Sequence, residues 1–435
     1  MFKGLIHLSS KTLGMVYLIS LLALVFAQSQ ITFLRVPYGW LWFLLGFIVI
    51  NGGIALAAYL YGRATRPTRA GQYALTAATH LFIWVVILLT FYPIVYLLAV
   101  SFNKNDSITT PLPKVGNIIF RSGVLPDPSN FSLVQYQKML GEFHLLNYQW
   151  LLLVLFLLSI LAIIILTLVI RYRPEAYGYE RLRGYAGWVL FLSALALVLS
   201  INSQQFYSIN EGGQRVGSSS QRKIVLHIRN TLLVSGLTGI MAVLLSTTAG
   251  YAFARMKFEG RYQTLLSFVF VQMFPGFMAL VAIFYLMNAL GLLNTFVGLI
   301  LAYSGGAISF SAWIFKGYLE SISPSLEEAA MVDGATRWGA FWRVILPVSI
   351  PMLLFIFLLQ FIGTYSEFIM ANIFLTGEDK WTVGIALRTL SNGQFNTQWG
   401  ALAASAVLGS LPILAIFYSF QNALTGQHQA GGVKG

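Results

Sequence analysis

The residues that could do chemistry in this chain of 435 residues are few and scattered. The sequence contains no cysteine, which excludes thiolate catalysis, disulfides and cysteine-based zinc sites. None of the five histidines begins an H-E-x-x-H zinc helix, and no lysine completes a G-x-x-x-x-G-K-[ST] phosphate loop. A G-x-S-x-G nucleophile elbow is also missing from the sequence. We therefore expect no enzyme activity, no metal and no cofactor in this chain, and any use of ATP needs another protein.

Glu367, in the run GTYSEFIM, is the one acidic residue well inside an apolar stretch. An ionisable side chain at this depth is typical of a translocation pathway or an ion-coupling site. The alternative interpretation is a carboxylate at the outer end of a span, where it faces water or a neighbouring helix. The sequence leaves both interpretations open, and a single acid is thin support for an ion-coupled secondary carrier.

The most informative run of residues is 323–347, which lies between two apolar stretches and reads SPSLEEAAMVDGATRWGAFWRVILP. Ser325 and Glu328 have the spacing of a capping box, which predicts a helix that starts at this point. Two alanines continue the helix with small side chains, and Gly334 permits a turn after it. A helix with such a small face suits docking into a groove of another protein. An ordinary surface helix with good helix formers would have the same composition.

This run resembles the EAA signature of permease subunits of binding-protein-dependent ABC importers, whose pattern is E-A-A-x3-G-x9-I-x-L-P. The single departure is Val344, which stands where the pattern has isoleucine. The end of the chain is also similar to the tail of maltose-type permeases. The resemblance covers roughly 80–143 and 224–435. The positions that match the signature are Glu328, Ala329, Ala330, Gly334, Leu346 and Pro347.

The resemblance implies an all-α type I importer permease with a core of about six helices, paired with a second, homologous permease. It implies that the matched residues dock into a cytoplasmic ATPase dimer and that an external solute-binding protein delivers a sugar. The tail residues that it implies near the ATPase are Gly431, Gly432, Val433, Lys434 and Gly435.

The function implied by the resemblance is ATP-driven import by alternating access across the bacterial cytoplasmic (inner) membrane. Maltose or maltodextrin is the substrate that the tail favours, while other sugars and glycerol phosphate stay open. An ion-coupled secondary carrier, working through Glu367 without an ATPase, is the alternative from a different functional class.

The composition predicts that the helices lie in a membrane. Hydrophobic residues make up 57% of the chain and charged residues 9%, against roughly a quarter charged in soluble domains. Several apolar runs exceed the roughly 18 residues that cross a bilayer as a helix, and they do not alternate as barrel strands do. We expect about ten transmembrane helices, at 13–33, 40–61, 80–101, 148–170, 184–202, 230–253, 263–288, 296–315, 344–372 and 399–424.

The basic residues determine the expected orientation of these helices. The net charge is +13, and the short loops after the second, fourth and sixth spans are rich in arginine. Because such loops are retained in the cytoplasm, we expect both the N-terminus and the C-terminus to be cytoplasmic. The same rule explains the positive charge without nucleic acid as a partner. We expect membrane lipid, and not nucleic acid, to contact this chain.

Four of the expected spans lie outside the resemblance. We expect 1–79 to form two additional N-terminal helices and 80–144 to form the first core helix with an external loop. An inserted helix pair and linker are expected at 145–222, followed at 223–435 by the rest of the core with its coupling loop at about 323–347. The added helices lack charges inside the membrane, so we expect them to fill lipid-facing grooves in preference to forming a regulatory or partner-specific surface. The first span is expected to stay uncleaved.

Overall fold

The structure of the protein is a computed structural model that describes residues 39–106, 130–172, 177–219, 222–273, 276–391 and 397–424. Its helices are α1 (Gly39–Thr65), α2 (Ala70–Ser101), α3 (Val134–Leu140), α4 (Asn147–Tyr172), α5 (Tyr177–Ser200), α6 (Ile224–Arg255), α7 (Arg261–Gln272), α8 (Gly276–Ala289), α9 (Phe296–Ser321), α10 (Ser325–Val332), α11 (Arg337–Ala340), α12 (Leu346–Val348), α13 (Ile350–Ser366), α14 (Ile369–Phe374), α15 (Val383–Leu390) and α16 (Trp399–Leu424). Two short strands, β1 (Tyr207–Ile209) and β2 (Arg215–Gly217), pair antiparallel, with Ser208 opposite Val216. The expected helical class is confirmed, while the first expected span and the tail residues 431–435 lie outside the described residues.

Residues 1–135 form one compact unit, which is built on a hairpin of α1 and α2. The turn between the two helices contains Pro67, which lacks the N–H needed to continue α1. Gly62 allows close approach at this turn, because a Cβ atom there would lie 2.7 Å from the ring of Tyr73. Ala77 is completely buried against apolar residues of both helices, including Ile54.

Residues 136–435 form the second compact unit, and α6 is its central helix. One buried cluster at the Arg255 end of α6 joins Tyr251 to Phe315 of α9 and to Phe341. A second cluster joins Val234, near the other end of α6, to Leu299 and Phe374. Since α6 contributes to both clusters, it connects the two ends of this unit.

Membrane-spanning helices are present in the described part of the chain, although the count of ten stays a prediction. Five described helices are long and apolar enough to cross a bilayer, and a bent pair would make a sixth. The apolar windows of α4 and α5 are only 6% buried, whereas those of α6, α9 and α16 are 33–50% buried. The hairpin α4–α5 therefore has few residues that are buried within the described part of the chain.

The expected span at 344–372 is interrupted in the structure, whereas the one at 263–288 is only partly described. In the apolar run 263–288, α7 ends at Gln272 and α8 begins at Gly276, and residues 274–275 lie outside the described residues. The run 344–372 is divided: α13 ends at Ser366, and the segments Arg337–Val348 and Ile350–Ser366 are bent by 71°. Pro347 and Pro351 explain the bend, because neither residue donates a backbone hydrogen bond.

The close packing of α6 against α9 predicts a large effect of a small substitution. A Cβ atom at Gly250 would lie 2.9 Å from the ring of Phe315 and 3.1 Å from the backbone oxygen of Ala312. We expect Gly250→Ala to lower stability by about 1–3 kcal/mol through overpacking. The measurement is thermal unfolding in mild detergent, with Gly305→Ala as the control because the space at Gly305 is open. Equal midpoints for the two variants would contradict this packing.

Candidate functional site

The EAA run forms a helix, a turn and a second helix. Helix α10 ends at Val332, and Asp333 caps it. Gly334 follows with a φ of 88°, a left-handed conformation that glycine adopts without strain. Thr336 then caps α11 by accepting a hydrogen bond from the N–H of Gly339 at 3.1 Å. The expected positions of the helix and of the glycine turn are thus those of the structure.

The expected capping box is wrong. Pro324 is the capping residue of α10, and its carbonyl accepts hydrogen bonds from the N–H groups of Glu327 and Glu328. Ser325 therefore already belongs to the first turn of the helix, one position too late to cap it. Its hydroxyl shares a hydrogen bond with the hydroxyl of Ser323 at 2.8 Å.

Glu327 anchors the loop to α6. Its side chain is nearly buried, with the residue 7% exposed, and its carboxylate accepts hydrogen bonds from Arg255 Nε at 2.5 Å and from Tyr251 Oη at 3.0 Å. Arg255 also donates to the carbonyl of Ile322 at 2.9 Å. These are charge-assisted bonds shielded from water, so they hold α10 at the end of α6. Glu327 is not a position of the EAA pattern, and the one sequence signal for it is that Arg255, at the end of an expected span, needs an acidic partner.

The opposite face of the loop is open to solvent. Glu328 and Ala329 are exposed, and Val332 has 86% of its surface exposed. Trp338 and Trp342 are also about half exposed, and both pack on the buried ring of Phe341. An anchored helix with an exposed apolar and acidic face is suited to docking in a partner's groove.

The remaining residues of the motif differ in their exposure to solvent. Ala330 and Leu346 are half-buried, whereas Gly334 and Pro347 are exposed. A π-helical turn, Phe341–Ile345, precedes Leu346, and the 71° bend into α13 follows after Val348. The motif thus joins the exposed helix to a membrane-spanning helix through a rigid corner.

An open cavity of about 410 Å³, lined by both polar and apolar residues, lies among α7, α9 and α13. The residues that line it are Gln272, Tyr303, Gly306, Ala307, Phe310, Gln360, Gly363, Thr364 and Glu367. Gly306 and Gly363 leave open space where other residues would have side chains. Placing amide, hydroxyl and carboxylate groups among apolar helices costs free energy. Their presence around one cavity therefore indicates a functional site and not simple helix packing.

Glu367 has a structural role that neither sequence interpretation included, and its place in a translocation pathway stays a prediction. It follows the end of α13, and its carboxylate accepts hydrogen bonds from the N–H groups of Ile369 at 2.7 Å, Met370 at 2.9 Å and Ala371 at 3.3 Å. It also accepts a hydrogen bond from the hydroxyl of Tyr303. The residue therefore caps α14 and borders the cavity at the same time. Four donors therefore hold the carboxylate in place.

The end of this unit opposite the motif is held by a polar cluster. Asp379 accepts hydrogen bonds from Lys223 Nζ and from Ser203 Oγ, both at 2.7 Å. Asn230 of α6 donates to the backbone oxygens of Asp379 and Trp381 at 2.8 and 3.0 Å. The segment between α5 and α6 and the loop before α15 are therefore both fixed to the start of α6.

This cluster predicts a weak dependence of stability on pH. The hydrogen bond from Lys223 lowers the pKa of Asp379 below its usual value. The contribution is therefore present above the usual aspartate pKa of about 4 and is lost as the pH falls through the lowered value. Because Asp379 is exposed, we expect less than about 1 kcal/mol. Thermal unfolding should show a deficit of Asp379→Asn at pH 7 that disappears below about pH 3. Glu378→Gln is the control, and a deficit that persists in acid would contradict the assignment.

Comparison with known proteins identifies the family. Residues 242–426 match the model of the "binding-protein-dependent transport system inner membrane component", a range that includes the EAA loop and the cavity. The chain is 46% identical over 212 residues to the maltose/maltodextrin transport system permease protein MalG of Vibrio parahaemolyticus, covering 47% of this chain and 71% of that protein. It is 43% identical over 218 residues to the protein of the same name from Escherichia coli K12, covering 49% and 73%.

A solved structure agrees with the fold. A chain from a bacterial ABC transporter involved in the import of the acidic polysaccharide alginate superposes with a TM-score of 0.52. The match covers 82% of this chain and 98% of that one at 17% identity, which is evidence for the fold alone. Together these findings favour an importer permease over an ion-coupled carrier. The chain therefore belongs to the family of binding-protein-dependent transport system inner membrane components, as a multi-pass permease subunit of an ABC importer.

Proposed function

We propose that this chain is one of two permease subunits of an importer that moves maltose or maltodextrins across the inner membrane by alternating access. The names of its relatives support the substrate, since they are maltose/maltodextrin permeases. The sequence carries no phosphate-binding loop, so ATP hydrolysis belongs to a partner subunit and this chain itself is no enzyme. An external solute-binding protein delivers the sugar in this scheme.

The anchored EAA loop is the observation that carries this proposal. Glu327 holds α10 on α6 and leaves Glu328 and Ala329 exposed, as docking into an ATPase requires. We assign ATPase coupling to Glu328, Ala329, Ala330 and Gly334. Leu346 and Pro347 then transmit the movement through the corner into α13. A docked ATPase needs only to bias two states of the permease by a few kcal/mol.

The remaining assignments follow from the same scheme. The tail residues Gly431, Gly432, Val433, Lys434 and Gly435 reach toward the ATPase, and both termini lie in the cytoplasm. The helices of 1–79 and 145–222 are additions to the six-helix core, whose parts are 80–144 and 223–435. The low burial of α4 and α5 supports a lipid-facing position for the second addition. Glu367 borders the translocation pathway at the open cavity.

The test is purification of the tagged chain in mild detergent from its native membrane. We expect an ATPase and a second permease in fixed ratio, with hydrolysis stimulated by maltodextrin together with the binding protein. If glycerol phosphate or another sugar stimulates hydrolysis and maltodextrin does not, the proposed substrate is wrong but the proposed importer function stands. A chain that purifies alone and transports on an ion gradient would contradict the proposal.

A further inference from the structure

The turn between α1 and α2 presents a cluster of positive charge to solvent. Arg63, Arg66 and Arg69 are all exposed, and none of their guanidinium groups forms an ion pair or a hydrogen bond with the described residues. The first acidic residue of the chain is Asp106, so the sequence around the turn supplies no carboxylate side chain. A counter-charge for these arginines therefore has to come from outside residues 1–105.

Backbone contacts hold this turn in a fixed shape. The N–H of Arg66 donates to the carbonyl of Gly62 at 2.7 Å, and the N–H of Arg69 donates to the carbonyl of Arg66 at 2.9 Å. Pro67 opens the 3-10 turn and restricts its own φ, while Gly62 lies close to the ring of Tyr73 on α2. A turn closed by such a hydrogen bond brings the Cα atoms of its first and fourth residues within about 7 Å. Arg66 and Arg69 can therefore contact the same anion.

The helix surface beside the turn is apolar and exposed. Leu60 of α1 and Leu75 of α2 each have more than half of their surface exposed. Tyr61 is 57% exposed and packs edge-on against the ring of Tyr73. Aliphatic side chains next to tyrosine and arginine are typical of the level at which a helix passes from the hydrocarbon to the lipid headgroups. The turn directly follows the expected span 40–61, so we expect it to lie at the level of the phosphate groups.

We propose that residues 62–70 bind the phosphate groups of anionic phospholipids. Guanidinium groups form paired, charge-assisted hydrogen bonds with phosphate oxygens. Arginines without a neighbouring acid attract a lipid of net negative charge more strongly than a zwitterionic lipid, whose ammonium group they repel. The aliphatic surface beside the turn favours a lipid over an acidic protein segment, because acyl chains cover that surface while the phosphate contacts the arginines. This inference does not depend on the proposed substrate.

Two arginines near the start of α5 provide a matched comparison. Arg181 and Arg183 are also exposed and make no ion pair or side-chain hydrogen bond among the described residues, so they carry the same charge as the pair at the turn. Because they are two positions apart on a helix, their side chains leave nearly opposite sides of it, and one phosphate cannot contact both. Glu180 beside them also reduces the local positive charge. A general attraction of basic residues to the membrane would affect both pairs alike, whereas a binding site would not.

The experiment measures binding of fluorescent phosphatidylglycerol to the full chain, purified in mild detergent with the subunits that accompany it. We expect Arg66→Gln combined with Arg69→Gln to weaken binding at least about tenfold, because each arginine at the headgroup level contributes to the attraction. Arg66→Lys combined with Arg69→Lys keeps the charge and should retain more of the binding. Arg181→Gln combined with Arg183→Gln is the control and should leave binding nearly unchanged. Phosphatidylcholine should bind at least about tenfold more weakly than phosphatidylglycerol.

Three results would contradict the inference. If the two glutamine pairs weaken lipid binding equally, general charge attraction explains the effect and the turn is not a site. Equal affinity of the wild type for phosphatidylcholine and phosphatidylglycerol would overturn the selection for anionic lipid. If the change at the turn removes a partner subunit and leaves lipid binding unchanged, the arginines contact protein and not lipid. Circular dichroism establishes that each variant is folded, and the lysine pair tests the site even where the glutamine pair does not fold.

Discussion

Replacing Glu327 by alanine should disconnect the permease from its ATPase. The substitution leaves the Arg255 guanidinium nearly buried without its carboxylate and removes the acceptor of Tyr251. Removing one partner of a buried ion pair costs about 3–5 kcal/mol, because the other charge stays desolvated. That amount suffices to detach α10 from α6. We expect uptake to fall at least tenfold and the ATPase subunit to be lost during purification.

A matched acidic residue on α9 provides the control. Glu320 pairs with Lys316 at 2.7 Å, but its side chain is about half exposed, so Glu320→Ala should change stability by no more than about 0.5 kcal/mol. A double variant, Arg255→Met with Glu327→Met, should recover much of the stability through apolar packing. If Glu327→Ala supports the same uptake and co-purification as Glu320→Ala, then the ion pair does not hold the coupling loop.

Substituting Gly334 by valine should uncouple transport for a different reason. Gly334 has a φ of 88° and nothing lies within 4 Å of the position of a Cβ atom, so the effect is backbone strain without a clash. Holding a β-branched residue in this conformation costs at least about 1–2 kcal/mol. The turn then relaxes and displaces α11 relative to α10. We expect sugar-stimulated ATP hydrolysis to fall about tenfold while the chain still inserts into the membrane.

Asparagine at the same position gives a graded comparison. Because asparagine tolerates the left-handed region, Gly334→Asn should keep much of the activity that Gly334→Val loses. Gly317→Ala in α9 is the control, since that glycine also has open space around it but ordinary helical backbone. Equal loss in the valine and asparagine variants would show that the flexibility of glycine, and not its left-handed conformation, matters at this turn.

The sequence predicted the elements of the coupling loop better than their contacts. Glu328 belongs to the signature, yet its neighbour Glu327 makes the anchoring bonds. Adjacent residues on a helix point about 100° apart, so only the position of α6 decides which of the two acids is buried. A motif match carries no information about that position, and the expected capping box failed for a related reason: it depends on the exact first residue of the helix.

The prediction of apolar membrane-spanning helices is confirmed, but it did not foresee where such a helix is broken. A window of hydropathy averages over Pro347 and Pro351, so the run 344–372 resembled one span although a 71° bend divides it. The cavity was not predictable either, because its polar residues come from three helices that are distant in sequence. Glu367 was found from its depth in an apolar run, but its function as a helix cap needed the structure.

Helix α6 is one continuous helix, long enough to connect the two sides of the bilayer. Its 32 residues extend about 48 Å at the usual rise of about 1.5 Å per residue, and no proline interrupts them. Arg255 forms hydrogen bonds with the coupling loop at one end of α6, and Asn230 forms hydrogen bonds with the loop around Asp379 near the other end. A partner that displaces either loop therefore acts on the same rigid body. By thermodynamic linkage, if a ligand bound at one end changes the affinity for a second ligand at the other end, the second ligand changes the affinity for the first by the same factor.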